Sequence, residues 1–300
     1  MNQGQMFETQ VSRAMLDQLL DDSRLYRKGS DYKSLLEFVV RLRNFAPFNA
    51  KLLQVQKPGL RHAASAHEWR ERFGRTVKPH ARPLLILWPF GPVALVYDVM
   101  DTEGGPLPAG VSAFQASGAI DQMRLEYFGK LLGKKNIEWH KFDGGDGNAG
   151  SIERLTHATG LEERSRYRMS VNRNHDPNVQ FATLAHELAH LYLGHLGRDK
   201  WLGIPDRPRQ SHQQRELEAE SSAFIVCARN GVANRSESYL TNYVQQDTTT
   251  QQLDLYQIMR ATGQIETLLG LATQSKFARL QASSKSTQGS LFCDAADSAA

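Results

Sequence analysis

The chain has 300 residues, 40% of them hydrophobic, and 36 Lys and Arg against 32 Asp and Glu give a formal net charge of +4. That length is enough for two modest domains with cores of their own. No run of about 18 apolar residues is present for a membrane span, and the polar start MNQGQMFETQ does not read as a secretory signal, so a cytoplasmic protein is expected. Two cysteines, Cys227 and Cys293, exclude a disulfide framework and a Cys-x-x-Cys metal site.

The first segment with a character of its own is basic. Between residues 21 and 90 there are fourteen Lys or Arg against six Asp or Glu, a net of +8, so the rest of the chain sums to −4. Basic charge gathered in one region attracts polyanions, and aromatic rings set among it can stack on bases. Here Phe45, Phe48, Trp69, Phe73 and Trp88 alternate with basic side chains that include Arg41, Arg43, Lys51, Arg75 and Lys78. Single-stranded nucleic acid is therefore an expected partner. The competing reading puts the aromatics in a core and leaves the Lys and Arg to solvate a surface. EGGPLPAG, residues 103 to 110, interrupts both helical and strand periodicity and is the predicted linker, closing a first domain at 1–110.

Beyond it, a helical segment from about Phe114 to Leu132 precedes a strand-like IEWHKF at 137 to 142. A glycine-rich loop follows at 143 to 150, then a second strand-like run, RYRMSVN, at 167 to 173. TLAHELAHLYLGH, at 183 to 195, carries the chemistry. Phe181, Leu184, Ala185, Leu188, Ala189, Leu191 and Tyr192 give an apolar, proline-free helix with Gly194 as its stop. His186 and His190 are four residues apart, about 40° on the helical wheel, so both imidazoles can reach one metal with Glu187 beside a water bound there. A buried amphipathic helix with incidental polar residues is the competing reading. Continuing the helix would put His195 about 180° from His186, so it reads as a polar group near the helix C-terminus rather than as a ligand.

A third ligand is sought in RELEAESSAFIVCA, residues 215 to 228. Glu216, Ala219, Glu220 and Ala223 share a helical face while Glu218 points away, and the small residues permit close approach of a second helix. Glu216 completes a two-histidine, one-glutamate zinc site, and Glu220 accepts a hydrogen bond from a ligating imidazole. A solvated acidic turn at a helix start is the bland alternative. Cys227, within AFIVCA, reads as a small buried hydrophobe. With three protein ligands and an open fourth position the zinc would be catalytic, with Glu187 as general base toward an amide. QQLDLYQIMRATGQIETLLGL, at 251 to 271, has helical spacing. From about Ser283 the composition turns to Ser, Ala, Asp and Gln, and a disordered tail is expected over 283–300.

FATLAHELAHLYLGH followed by RELEAESSAF resembles the ImmA/IrrE-type zincin-like metallopeptidases and the C-terminal domain of ArdC-like antirestriction proteins. In that group a Glu-x-x-Ala-(Asp/Asn/Glu) helix supplies the third ligand, a register that falls on Glu216, Ala219 and Glu220. A second resemblance, to the single-stranded-DNA-binding domain of ArdC-like proteins, rests on the order of Asn49 and Gln56, Trp69 and Gly74, Lys78, and Asp98, Thr102 and Gly104. It adds Asn49 to the candidate nucleic-acid contacts. The resemblance implies an α+β chain with a single-stranded-DNA-binding-like domain over 1–110 and a zincin-like metallopeptidase domain over 111–282. A protein or peptide substrate, a Zn²⁺ cofactor and a mobile-element or phage setting are implied with it. Two other roles fit the same residues: an antirestriction DNA-binding protein whose metal is structural or whose hydrolysis is incidental, and a regulatory peptidase that cleaves a repressor.

Overall fold

The structure is a computed structural model, and it describes residues 29–88, 91–107, 120–145, 147–156, 164–233 and 253–272. The chain opens on helix α1 (Gly29–Arg41), whose buried Tyr32, Leu35, Leu36 and Val39 recur at helical spacing, and on α2 (Pro47–Gln56), started by a proline that needs no N–H there. Helix α3 (Ala66–Phe73) is capped by Ser65, which accepts from the Glu68 N–H, and is closed by Gly74 at φ +59°. Around these helices lies a small antiparallel sheet in the order β1 (Ala63–Ala64), β4 (Gly91–Asp98), β3 (Leu84–Trp88). A separate two-stranded pair joins β2 (Thr76–Val77) to β5 (Thr102–Glu103).

The free edge of β3 is covered in an unusual way. Asn49 accepts from the Leu87 N–H at 2.9 Å and donates to the Leu87 carbonyl at 3.1 Å, while Gln56 does the same for Leu85 at 2.8 and 2.8 Å. Two side-chain amides on α2 thus take the place of a neighbouring strand and satisfy backbone groups that would otherwise pair with another chain.

The second half is built on a three-stranded sheet in the order β6 (Ile137–Phe142), β8 (Arg166–Asn172), β7 (Gly150–Thr156). β8 runs parallel to β6 and antiparallel to β7. It alternates as a half-buried strand should: Tyr167, Met169 and Val171 are fully buried, and Arg166, Arg168 and Ser170 lie on the other face. Helix α4 (Gln122–Gly133), capped by Asp121, packs on β6. Helix α5 (Pro177–Tyr192) packs on β7 and β8. Against α5 lie α6 (His212–Arg229), opened by a Ser211/Gln214 capping box, and α7 (Leu255–Leu268), capped by Asp254.

The strands at 137–142 and 167–173 and the α5, α6 and α7 helices fall where the periodicity put them. The helix expected from Phe114 begins at Gln122 among the described residues, and 114–119 lie outside them. β7 was not anticipated. The described residues of the glycine-rich run, 143–145 and 147–149, lie between β6 and β7 and are tied down by Asn172, whose side chain donates to the Gly145 and Asn148 carbonyls. The first residues of the expected linker are also fastened: Glu103 pairs with Thr76, and Arg75 donates to the carbonyls of Gly104 and Gly105. Residues 108–119 and the expected tail lie outside the described residues. The helices before and after that gap share one buried apolar cluster, in which α1 meets α6 and α2 meets α7.

Candidate metal centre

Helix α5 gives its apolar stripe to the core, where Phe181, Leu184, Ala185, Leu188 and Ala189 are fully buried, and this leaves His186, Glu187 and His190 on the remaining, partly exposed face. Helix α6 crosses that face with Ala219 and Ala223 inward, residues small enough for the two helices to approach closely. Glu216 and Glu220 then reach the histidines. His186 Nε2 and His190 Nε2 are 3.1 Å apart, and the Glu216 carboxylate oxygens lie 3.6 Å from the first and 3.5 Å from the second. Ligand atoms around a tetrahedral zinc with bonds of about 2.0–2.2 Å are separated by roughly 3.4 Å, so the three side chains have the spacing of three corners of such a site. They form a group of candidate metal ligands whose donor atoms all lie within 4.8 Å of one another.

Three carboxylates stand around these two imidazoles, and the electrostatics favour a cation. Burial opposes a charged His186, but Glu216, Glu220 and Glu187 outweigh it and raise its pKa. Contact with His186 and His190 holds Glu216 far below the ordinary carboxylate range. Glu187 is shifted the other way: burial raises its pKa, against the pull of His186 and His190 and of the Ile152 N–H, which donates to Glu187 Oε2 at 3.1 Å. A carboxylate fixed at one oxygen by the edge strand β7, and made more basic by burial, can accept a proton and return it.

Behind the ligand atoms, Glu220 Oε1 sits 3.5 Å from His186 Nδ1. Residues 146–229 match the family model of the IrrE N-terminal-like domain, Peptidase_M78. The span of that IrrE N-terminal-like match takes in β7, β8, α5 and α6, so every element that places a candidate ligand or Glu187 lies within it. One solved structure is similar at 17% identity over 75% of this chain and 82% of that chain, with a TM-score of 0.37: the crystal structure of antirestriction ArdC protein from R388 plasmid in its Mn(II)-bound form. The comparison with curated proteins finds no match.

Within the matched span, His195 is placed differently from expectation, while Glu218 turns from the ligands as expected. His195 is brought beneath His190 rather than turned away from the site, and Glu218, which points away from the ligand cluster, is fully buried against Arg207 and His195. The cavity over the ligands, about 340 Å³, is also lined by Leu196, His212 and Arg215. The Arg215 side chain makes no ion pair or hydrogen bond among the described residues, and its Nε is buried without a partner. Sequence periodicity carried no sign of it, because a first-turn arginine reads as a solvated charge.

Of the expected nucleic-acid contacts, Trp69, Lys51, Arg43, Asn49 and Arg75 are committed to the fold, whereas Arg41 and Lys78 are exposed. Trp69 is 1% exposed and its Nε1 donates to the Tyr97 carbonyl, so it cannot stack on a base. Lys51 is 1% exposed, and burial lowers its pKa to about 8. Arg43 is buried and donates to Asn230. Asn49 is spent on the β3 edge. Arg75 is committed to Thr102 and to the carbonyls beyond it. Lys78 is exposed and bonded to the Met100 carbonyl, and Arg41 is exposed, bonded to the Leu60 carbonyl and lying over the Phe38 ring.

Proposed function

We propose that this chain is a zinc-dependent peptidase with a nucleic-acid-binding N-terminal part, 1–110 serving the second role and 111–282 the first, followed by a tail at 283–300. The observation that carries the reading is the placement of His186, His190 and Glu216 at ligand spacing with Glu187 fixed beside them by the Ile152 N–H. Zinc bound by these three side chains would supply Lewis acidity, lowering the pKa of a water and polarising a substrate carbonyl. Glu187 takes the proton of the attacking water and passes it to the leaving amine. Arg215, lining the same cavity with its Nε unpartnered among the described residues, receives the negative charge that develops on the carbonyl oxygen. Glu220 keeps the His186 ring in place through Nδ1.

The nucleic-acid role is supported by the net of +8 over residues 21–90, of which Arg41, Arg61, Arg70, Arg72, Lys78 and Arg82 remain exposed. A protein or peptide substrate, single-stranded DNA as partner and a cytoplasmic location complete the proposal. No helix among the described residues is long and apolar enough to cross a membrane.

The deciding experiment compares wild type with Glu187→Gln for metal content and for hydrolysis of an unstructured protein. The variant is expected to keep one zinc per chain and to lose at least about 100-fold in rate. A wild type that binds zinc without hydrolysing anything would make the centre structural. In the same preparation, affinity for a single-stranded oligonucleotide should fall steeply between 50 and 200 mM salt as counterions are released, and salt-insensitive binding would remove the nucleic-acid role.

A further inference from the structure

The two candidate ligand histidines are backed in different ways. His186 Nδ1 faces a single carboxylate, Glu220. His190 Nδ1 faces another imidazole, with His195 Nδ1 2.8 Å away, and His195 Nε2 in turn lies 3.5 Å from Glu218 Oε2. The His195 and Glu218 side chains are 3% and 0% exposed. Glu218 is nevertheless fully satisfied: Arg207 donates to its two oxygens at 2.6 and 2.8 Å, and the Asp254 N–H donates to Oε1 at 3.0 Å. A carboxylate held in this way by a guanidinium fork remains an anion.

With both rings neutral, these contacts favour one direction for the protons in the row. A nitrogen-to-nitrogen contact of 2.8 Å holds one proton between the rings. If His195 donated it, His195 Nε2 would turn a lone pair toward the Glu218 anion, and His190 would carry its own proton on Nε2, where the ligand lone pair is needed. With His190 as donor, every atom has a complementary neighbour: His190 Nδ1–H to His195 Nδ1, His195 Nε2–H to Glu218, and Glu218 to Arg207. We propose that His195 and Glu218 are positioning residues that select the metal-binding tautomer and ring orientation of His190. The inference rests on the metal-site reading above. Neither residue belongs to the group of candidate ligands.

The test uses the full chain and two readouts besides activity: zinc affinity by competition with a chelating dye, and the ligand-field absorption of the cobalt-loaded protein. His195→Leu removes the acceptor and should weaken zinc binding roughly 10–100-fold and shift the cobalt bands. His195→Gln offers an amide oxygen to His190 and an NH₂ to Glu218, and should recover most of both. Unchanged affinity and spectrum in His195→Leu overturn the inference. So does an equal loss in the Leu and Gln variants with native circular dichroism, because only ring volume would then matter. If His195→Leu does not fold, His195→Asn, too short to span both contacts, takes its place with the same expected loss and the same overturning result. A wild type that takes up neither metal removes the site reading itself, whereas a metal-binding wild type with an indifferent His195 removes only this inference.

Discussion

His195 shows why one ligand set can be read from a sequence while its support cannot. His186, Glu187 and His190 are fixed relative to one another by the pitch of a single helix, so their spacing alone predicts convergence. Glu216 and Glu220 repeat that relation on α6. The helical wheel failed at His195 because α5 ends at Tyr192: Gly194 adopts φ +84°, the chain reverses, and the His195 N–H returns to the His190 carbonyl at 3.0 Å. Lys51 is a second residue whose setting no spacing reveals. Burial holds its pKa at about 8 against an ordinary 10.5, so the folded state releases a proton that the unfolded state keeps between those values. Stability should therefore rise from pH 8 to pH 10.5 and be lower, by on the order of 3 kcal/mol, at neutral pH. Lys51→Met is expected to raise the urea midpoint at pH 7 and to flatten that slope. An unchanged midpoint would mean that the ammonium is solvated.

Among the elements, β7 has the tightest tolerance. A β-carbon at Gly150 would meet the Ser170 carbonyl oxygen at 2.4 Å and Thr183 Cγ2 at 2.7 Å, so no side chain fits between β8 and α5 there. Gly150→Val should cost about 1–3 kcal/mol and, by pushing β7 outward, move the Ile152 N–H off Glu187. Hydrolysis is then expected to fall with zinc content preserved, as measured by rate and metal analysis on one sample; loss of zinc in step with activity would show that the sheet positions the ligands and not only the base. β7 escaped prediction because GSIERLT mixes charge with apolar residues and follows a glycine-rich run that reads only as loop. Two of the expected nucleic-acid contacts turn inward for a different reason. Asn49 and Trp69 look like surface chemistry in a basic region, but both, like Gln56, Asp98 and Thr102, bond backbone groups. Trp69 reaches the Tyr97 carbonyl, Asp98 accepts from the Met100 N–H, and Thr102 donates to the Val99 carbonyl. The partners of Asn49, Gln56 and Trp69 lie 38, 29 and 28 residues away, and no local periodicity encodes them.

At the scale of the whole molecule, Arg229 joins what composition had divided. From the last turn of α6 it pairs with Glu266 at 2.6 Å and donates to the carbonyls of Val39, Leu42, Arg43 and Phe45, all of it buried. Burial raises the pKa of Glu266 and the Arg229 charge opposes the rise, so removing the guanidinium strands a carboxylate in the interior. Arg229→Met should cost about 3–5 kcal/mol, read as a lower denaturation midpoint. A midpoint within error of wild type would show that the carbonyls are hydrated instead.

Glu216 and Arg229 stand 13 residues apart on the same helix, about 20 Å at 1.5 Å per residue. A helix packed on both sides does not bend to absorb a displacement. α6 therefore carries, at opposite ends, the candidate ligand Glu216 and the guanidinium that gathers the carbonyls of residues 39–45.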